Sequence, residues 1–109
     1  MNKREKKLHY DISLAITHIF NTHLQGIANF HSLAENLTVQ RAVERKIGII
    51  GEATYQLMRL GKSLSCSDQI INRRNTIVHQ YDAFKPEGIW TFVHQELPSL
   101  KVEVDKLLD

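Results

Sequence analysis

The stretch Arg74-Asn75-Thr76-Ile77-Val78-His79-Gln80-Tyr81 brings a fixed cation, an amide, an imidazole and a phenol into eight residues. On a helix, side chains three, four or seven apart share a face. Asn75 then lies beside His79, and Arg74 shares a face with Tyr81. Arg74 and His79 are five apart, roughly 140° around the axis, so one straight helix does not aim both at a small target. Convergence requires either that the helix ends or unwinds near His79, or that a second copy of the chain brings the missing partner. A two-fold interface does the latter, because it apposes the same patch from both subunits.

These groups suit phosphoryl chemistry. Histidine takes up and releases protons near neutral pH. Arginine grips phosphate oxygens with a planar fork and stabilises the extra charge of a phosphoryl transition state. The Asn75 amide, four residues before His79, can fix which ring nitrogen carries the proton. Such a set suffices to cleave RNA without a metal, with the ribose 2′-hydroxyl as internal nucleophile. The same residues also admit a structural reading, with Arg74 in an ion pair, His79 at a helix end and Tyr81 in the core.

The elements that must hold these residues are helical. At 109 residues, 42% of them hydrophobic and with five Gly and two Pro, the chain suits a single domain over 1–109 with one core. Periodicity of three and four marks a first helix over about Lys6–Leu24, through Leu8, Ile12, Ala15 or Ile16, Ile19 and His23. Gly26 breaks it, and Ala28–Asn36 reads as a loop or short turn anchored by Phe30 and Leu33. Thr38 is a candidate N-cap with Leu37 stapling against Ala42, and the helix it opens runs to about Leu60, with Gly61 as its stop. Val43, Ile47, Ile50, Thr54 and Leu57 form its buried stripe. Gly48 and Gly51 each cost about 1 kcal/mol against alanine in mid-helix, which points to close approach of another backbone. Glu52 lies opposite Ile47, positioned to pair with Arg45 or Arg59 or to support Arg74 or His79.

Lys62–Ser67 reads as a connector, with Ser65 or Ser67 capping a motif helix over about Asp68–Tyr81 that buries Ile70, Ile71, Ile77 and Val78. Asp82–Gly88 reads as a turn with Pro86 at the first position of a helix. Trp90, Val93, Leu97, Leu100, Val104 and Leu107 then keep one phase through Pro98, giving a kinked helix or two short helices nearly in line. Trp90 suits core or interface. No strand pattern is present.

Composition narrows the function classes. A net charge of +2 is too small for a uniformly basic nucleic-acid binder, so any basic surface must be local, such as Arg73 beside Arg74. The lone Cys66 makes no internal disulfide, and with no secretory leader after Lys3-Arg4-Glu5-Lys6-Lys7 and no long apolar run, a cytoplasmic location away from membranes is expected. His9, His18, His23 and His31 lack the spacing and the acidic or thiol partners of a metal site, so no metal and no cofactor is expected.

The order Arg, four residues, His, one residue, Tyr, with Asn directly after the Arg, resembles the signature of the HepT family of HEPN-domain proteins. The block Arg41–Ala53, ending Ile50-Gly51-Glu52-Ala53, resembles the family's second block. Trp90 and Leu97-Pro98-x-Leu100 sit where such proteins place similar residues, so the resemblance runs from about Asp11 to the end. It implies an all-α, antiparallel four- to five-helix bundle, homodimeric, with the two motif helices meeting in a shared cleft. It further implies a metal-independent endoribonuclease toxin of a type VII-like toxin–antitoxin pair acting on RNA, tRNA among the candidates. Arg74 and His79 would be catalytic with Asn75 orienting them, and Glu52 and Arg73 would support them. The antitoxin would be an MntA-like nucleotidyltransferase that transfers AMP from ATP to Tyr81. The connector here is short and lacks the Pro-rich, Trp-containing segment of similar proteins. The alternative is a non-catalytic subunit that binds nucleotide or substrate for the nucleotidyltransferase, through Arg74 and Tyr81.

Overall fold

The structure is a computed structural model and describes residues 1–72 and 85–109. Helix α1 spans Lys3–His18, three residues earlier than the apolar pattern suggests, because the Asn2 side chain accepts the Glu5 N–H at 2.8 Å and caps it. Leu8, Ile12, Ala15, Ile16 and Ile19 are buried as the periodicity requires. At Ile19 the chain widens into a π-helical turn, Ile19–His23, which the Leu24 N–H closes on the Ile19 carbonyl at 2.8 Å. Gly26, at φ +88°, then turns the chain.

The stretch after it is helical where a loop or short turn is expected. Helix α2, Phe30–Ala34, starts because the Asn29 side chain accepts the Ser32 N–H at 3.0 Å. The buried Gln40 amide donates to the Leu33 and Ala34 carbonyls, at 2.9 and 3.1 Å, and satisfies the end of α2. The central helix α3, Leu37–Arg59, is capped by Asn36, whose side chain accepts the Val39 N–H at 3.0 Å; Thr38 is not the cap. Leu37 is 59% exposed and lies outside the core. The C-terminus stops as expected at Gly61, φ +76°, with Lys62 N–H on the Leu57 carbonyl and Gly61 N–H on the Met58 carbonyl.

The α3 stripe Val43, Ile47, Ile50, Thr54 and Leu57 is fully buried, and Thr54 satisfies its hydroxyl on the Ile50 carbonyl at 2.7 Å. Gly48 departs from expectation. A Cβ there would meet nothing within 4 Å, so no backbone among the described residues approaches it; Gly51 is buried. In the connector neither serine caps the next helix. Ser67 folds back, its hydroxyl accepting from the Leu64 N–H and donating to the Leu64 carbonyl. Ser65 binds the Glu103 carboxylate through N–H and hydroxyl. Residues 67–72 are helical, opened by the Ile70 N–H on the Cys66 carbonyl, with Ile70 buried. The rest of the expected motif helix, Ile77 and Val78 included, and residues 82–84 of the expected turn lie outside the described residues.

Helix α4, Pro86–Gln95, begins with Pro86 in its first turn, and Gly88 belongs to this helix rather than to a turn. Helix α5, Leu97–Leu108, follows after Glu96, so of the two expected arrangements the chain adopts two short helices; Pro98 supplies no N–H at the junction. Ile89, Phe92, Val93, Leu97, Leu100 and Val104 enter the core, but Leu107 is 47% exposed and does not. Half-buried Trp90 packs between Phe30 and His94.

Long-range bonds define the packing. Arg4 reaches Gln56 and His18 meets Lys46, so α1 runs antiparallel to α3. Ser13 donates to Asp105 at 2.7 Å, tying α1 to α5, while α2 packs on α3 and α4. The described elements are all helical, with no strand among them. The Lys101 ammonium and the Ser13 hydroxyl hold the Asp105 carboxyl below the usual carboxylate range.

His23 carries a pH signature. Its Nε2 is buried without a hydrogen-bond partner among the described residues, and burial, then Lys46 and His18, push its pKa below 6.5. As pH falls through 6.5 the unfolded chain takes up a proton that the folded chain refuses. The stability due to the neutral ring is therefore complete above that value and is lost on acidification, until the folded ring also protonates. His23→Leu is expected to flatten the fall in melting temperature below pH 6.5. An unchanged acid slope in that variant would assign the loss to other groups.

Candidate functional site

Of the sequence-derived site residues, Glu52 lies within the described structure. Arg73, Arg74, Asn75, His79 and Tyr81 lie outside the described residues, immediately after the helical run 67–72. Glu52 is set on α3 by the same periodicity that buries Ile47 on the opposite side. It is half-buried, and its Oε1 accepts the Gln56 amide N–H at 3.2 Å. The Gln56 carbonyl oxygen in turn accepts from Arg4 Nη2 at 2.8 Å. A relay Arg4–Gln56–Glu52 thus crosses from the first turn of α1 to the last turns of α3. It fixes the Glu52 carboxylate at Oε1.

The relay lies where two open grooves meet. One is lined by Arg4, Glu52, Tyr55, Gln56, Arg59 and Leu60. The other, lined by Leu8, Asp11, Arg45, Gly48 and Ile49 among others, shares Glu52 and Gln56 with it. Gly48, whose missing Cβ would meet nothing within 4 Å, lines this second groove. Near the other end of α3 Arg41 forks onto Glu44 at 2.8 and 2.9 Å, while beside the first groove the Arg59 guanidinium lies 6.0 Å from the centroid of the Tyr55 ring. Sequence reasoning did not pick out Gln56 or Arg4. The four-residue step from Glu52 to Gln56 was available as a signal, but Arg4 required the antiparallel register of α1 on α3.

The histidines have local roles. His9 is buried and bonds the Glu5 carbonyl at 2.7 Å, His18 accepts from Lys46 Nζ at 3.2 Å, and exposed His31 meets Glu35 at 3.1 Å. Among the described residues no three His, Cys, Asp or Glu side chains gather to hold a metal ion. Burial, then Glu96 and Glu103, push the Cys66 thiol up from its ordinary range. Alkylation of Cys66 at neutral pH is expected to be several-fold slower than that of a free thiol and to quicken in Glu103→Gln. A rate equal to that of the free thiol would contradict this.

Antiparallel helices around one apolar core, with an Ile-Gly-Glu-Ala block on the central helix, define a HEPN-like helical bundle. Residues 14–107 match the family model described as Ribonuclease HepT-like, and the chain belongs to that family. No curated protein and no solved structure matches the chain. No helix among the described residues is long and apolar enough to cross a membrane.

Proposed function

We propose that the protein is a metal-independent endoribonuclease whose site is built from Arg74, Asn75 and His79 in the shared cleft of a homodimer. The observation that carries this reading is the Ribonuclease HepT-like match over residues 14–107, on a chain with an intact Arg-Asn-x3-His-x-Tyr set. His79 accepts the 2′-hydroxyl proton as that oxygen attacks phosphorus, and an imidazolium returns a proton to the departing 5′-oxygen. Arg74 neutralises the charge that builds on the equatorial phosphate oxygens. Asn75 fixes the imidazole tautomer, Glu52 orients Arg74 or His79, and Arg73 holds a neighbouring phosphate. The dimer answers the five-residue offset, since each subunit supplies what the other's helix faces away from the target.

In this reading the protein is a toxin acting on cytoplasmic RNA, tRNA included. A nucleotidyltransferase antitoxin of the MntA-like kind silences it by transferring AMP from ATP to Tyr81. The added phosphate brings negative charge and bulk to the cleft and repels RNA. The short connector at 62–67 favours a second reading, a non-catalytic subunit of the nucleotidyltransferase, because it lacks a segment that similar proteins carry there.

The test is cleavage of total RNA and tRNA, in EDTA, by protein shown by mass to be unmodified at Tyr81. Cleavage is expected to survive the chelator and to stop after incubation with ATP and such a nucleotidyltransferase, whereas Tyr81→Phe protein escapes that inhibition. Absence of cleavage by the unmodified protein would overturn the nuclease in favour of the binding subunit.

A further inference from the structure

The whole chain carries a net charge of only +2, yet its cations are unevenly placed. Antiparallel packing brings the first turns of α1 against the end of α3. Lys3, Arg4, Lys6, Arg59 and Lys62 are all exposed there. Glu5 and Lys62 line one small cavity at this end, Lys7 is engaged by Asp11 at 2.9 Å, and Glu52 accepts the Gln56 amide. The two guanidiniums that flank the groove have no carboxylate partner among the described residues. Arg4 bonds a neutral amide and Arg59 leans on the Tyr55 ring. A guanidinium has five N–H donors in a fixed fork, so each keeps donors for a phosphate. Between them lie the half-buried Tyr55 and Leu60, which is 41% exposed.

Cations that track a backbone, alternating with an aromatic ring and an apolar side chain that meet base faces, are the elements of a single-strand binder. A duplex keeps its base faces stacked away from such a ring and offers only its backbone. We propose that the groove between Arg4 and Arg59, with Tyr55 in its wall, is a track for single-stranded RNA that holds nucleotides flanking the scissile one. This rests on the ribonuclease reading above. The two meet at Glu52, which lines this groove and which that reading gives the task of orienting the catalytic residues. Arg4 and Arg59 take phosphates, and a base stacks on the Tyr55–Arg59 pair. Lys3, Lys6 and Lys62 extend the positive field that draws the strand in.

The test is fluorescence-anisotropy titration of a labelled 2′-O-methyl single-stranded oligoribonucleotide, which resists cleavage, across a range of salt concentrations. Arg4→Ala with Arg59→Ala is expected to weaken binding about tenfold at low salt. It should also reduce the slope of log affinity against log salt by about 1.4, since each single-strand phosphate contact contributes about 0.7. Tyr55→Leu is expected to lose about fivefold and Tyr55→Phe to retain affinity, because the ring and not the hydroxyl does the stacking. Arg41→Ala, at the other end of α3, should bind as wild type, and circular dichroism confirms that each variant is folded. Wild-type binding with an unchanged slope in the double variant would overturn the track and leave the nuclease intact. Equal loss on a duplex of the same length would overturn the single-strand assignment. No binding of RNA by the wild type would overturn the track and the nuclease reading together.

Discussion

His79→Ala is expected to lower the rate of RNA cleavage by about 10²–10⁴-fold while leaving the melting temperature within a degree or so of wild type, the loss typical of a removed general acid–base. Arg74→Ala should lose about 10²–10³-fold, the scale of a removed transition-state charge partner. Arg74→Lys should recover little of it, since a point charge cannot reproduce the planar fork. Single-turnover cleavage of one labelled RNA by the three variants, each with a thermal melt, separates this account from the structural reading of the same residues. An ion-paired Arg74 and a helix-ending His79 would give the reverse pattern, with lowered melting temperatures and unaltered cleavage per folded molecule.

Leu57→Ala should produce the largest loss of stability. Leu57 is fully buried at the end of the α3 stripe, where the helix must hold its course so that Glu52 and Gln56 stay in register with Arg4. Truncating a buried leucine costs about 3–5 kcal/mol through lost transfer energy and the cavity left behind. That is a large share of the roughly 5–15 kcal/mol that holds a domain of this size folded. Leu37→Ala, on the same helix at 59% exposure, should change stability by less than about 0.5 kcal/mol. Urea denaturation of both variants checks the contrast. Similar midpoints for the two would contradict the core assignment.

The helical class, the buried stripes and the two glycine turns were legible because they depend on local rules. Ile12, Ile16, Ile47, Ile50, Leu57 and Val104 repeat at a helical period and are buried, and Gly26 and Gly61 stand where φ turns positive. Helix starts were less legible. Asn, Thr and Ser compete for capping over one or two positions, and Asn36 caps α3 in place of Thr38, while the connector serines bond Glu103 and Leu64 instead. Gly48 misled for a different reason. A glycine in mid-helix is consistent both with a close neighbour and with open space, and only the fold separates them. Leu107 misled by phase, since the core-facing position of that last turn is Leu108, four after Val104, and Leu107 is exposed.

At the candidate site, residue types pointed to Glu52, and its position opposite the core was readable from α3 alone. The relay through Gln56 to Arg4 was not, because it joins residues 52 apart in sequence that only the antiparallel register of α1 brings together. The same holds for the basic end of the bundle. In one dimension Lys3-Arg4-Glu5-Lys6-Lys7 looks like an ordinary solvated run. Its meaning changes once Arg59 and Lys62 fold beside it.

The most direct test of the central claim is the chemical identity of the ends made when the unmodified protein cuts a defined RNA in EDTA. Attack by the neighbouring 2′-hydroxyl, with His79 moving the proton and Arg74 bearing the charge, predicts a 2′,3′-cyclic phosphate on one fragment and a 5′-hydroxyl on the other, and no cut in a strand with 2′-deoxyribose at the cleavage position. Fragments ending in 3′-hydroxyl and 5′-phosphate, formed only when a divalent metal is restored, would contradict it.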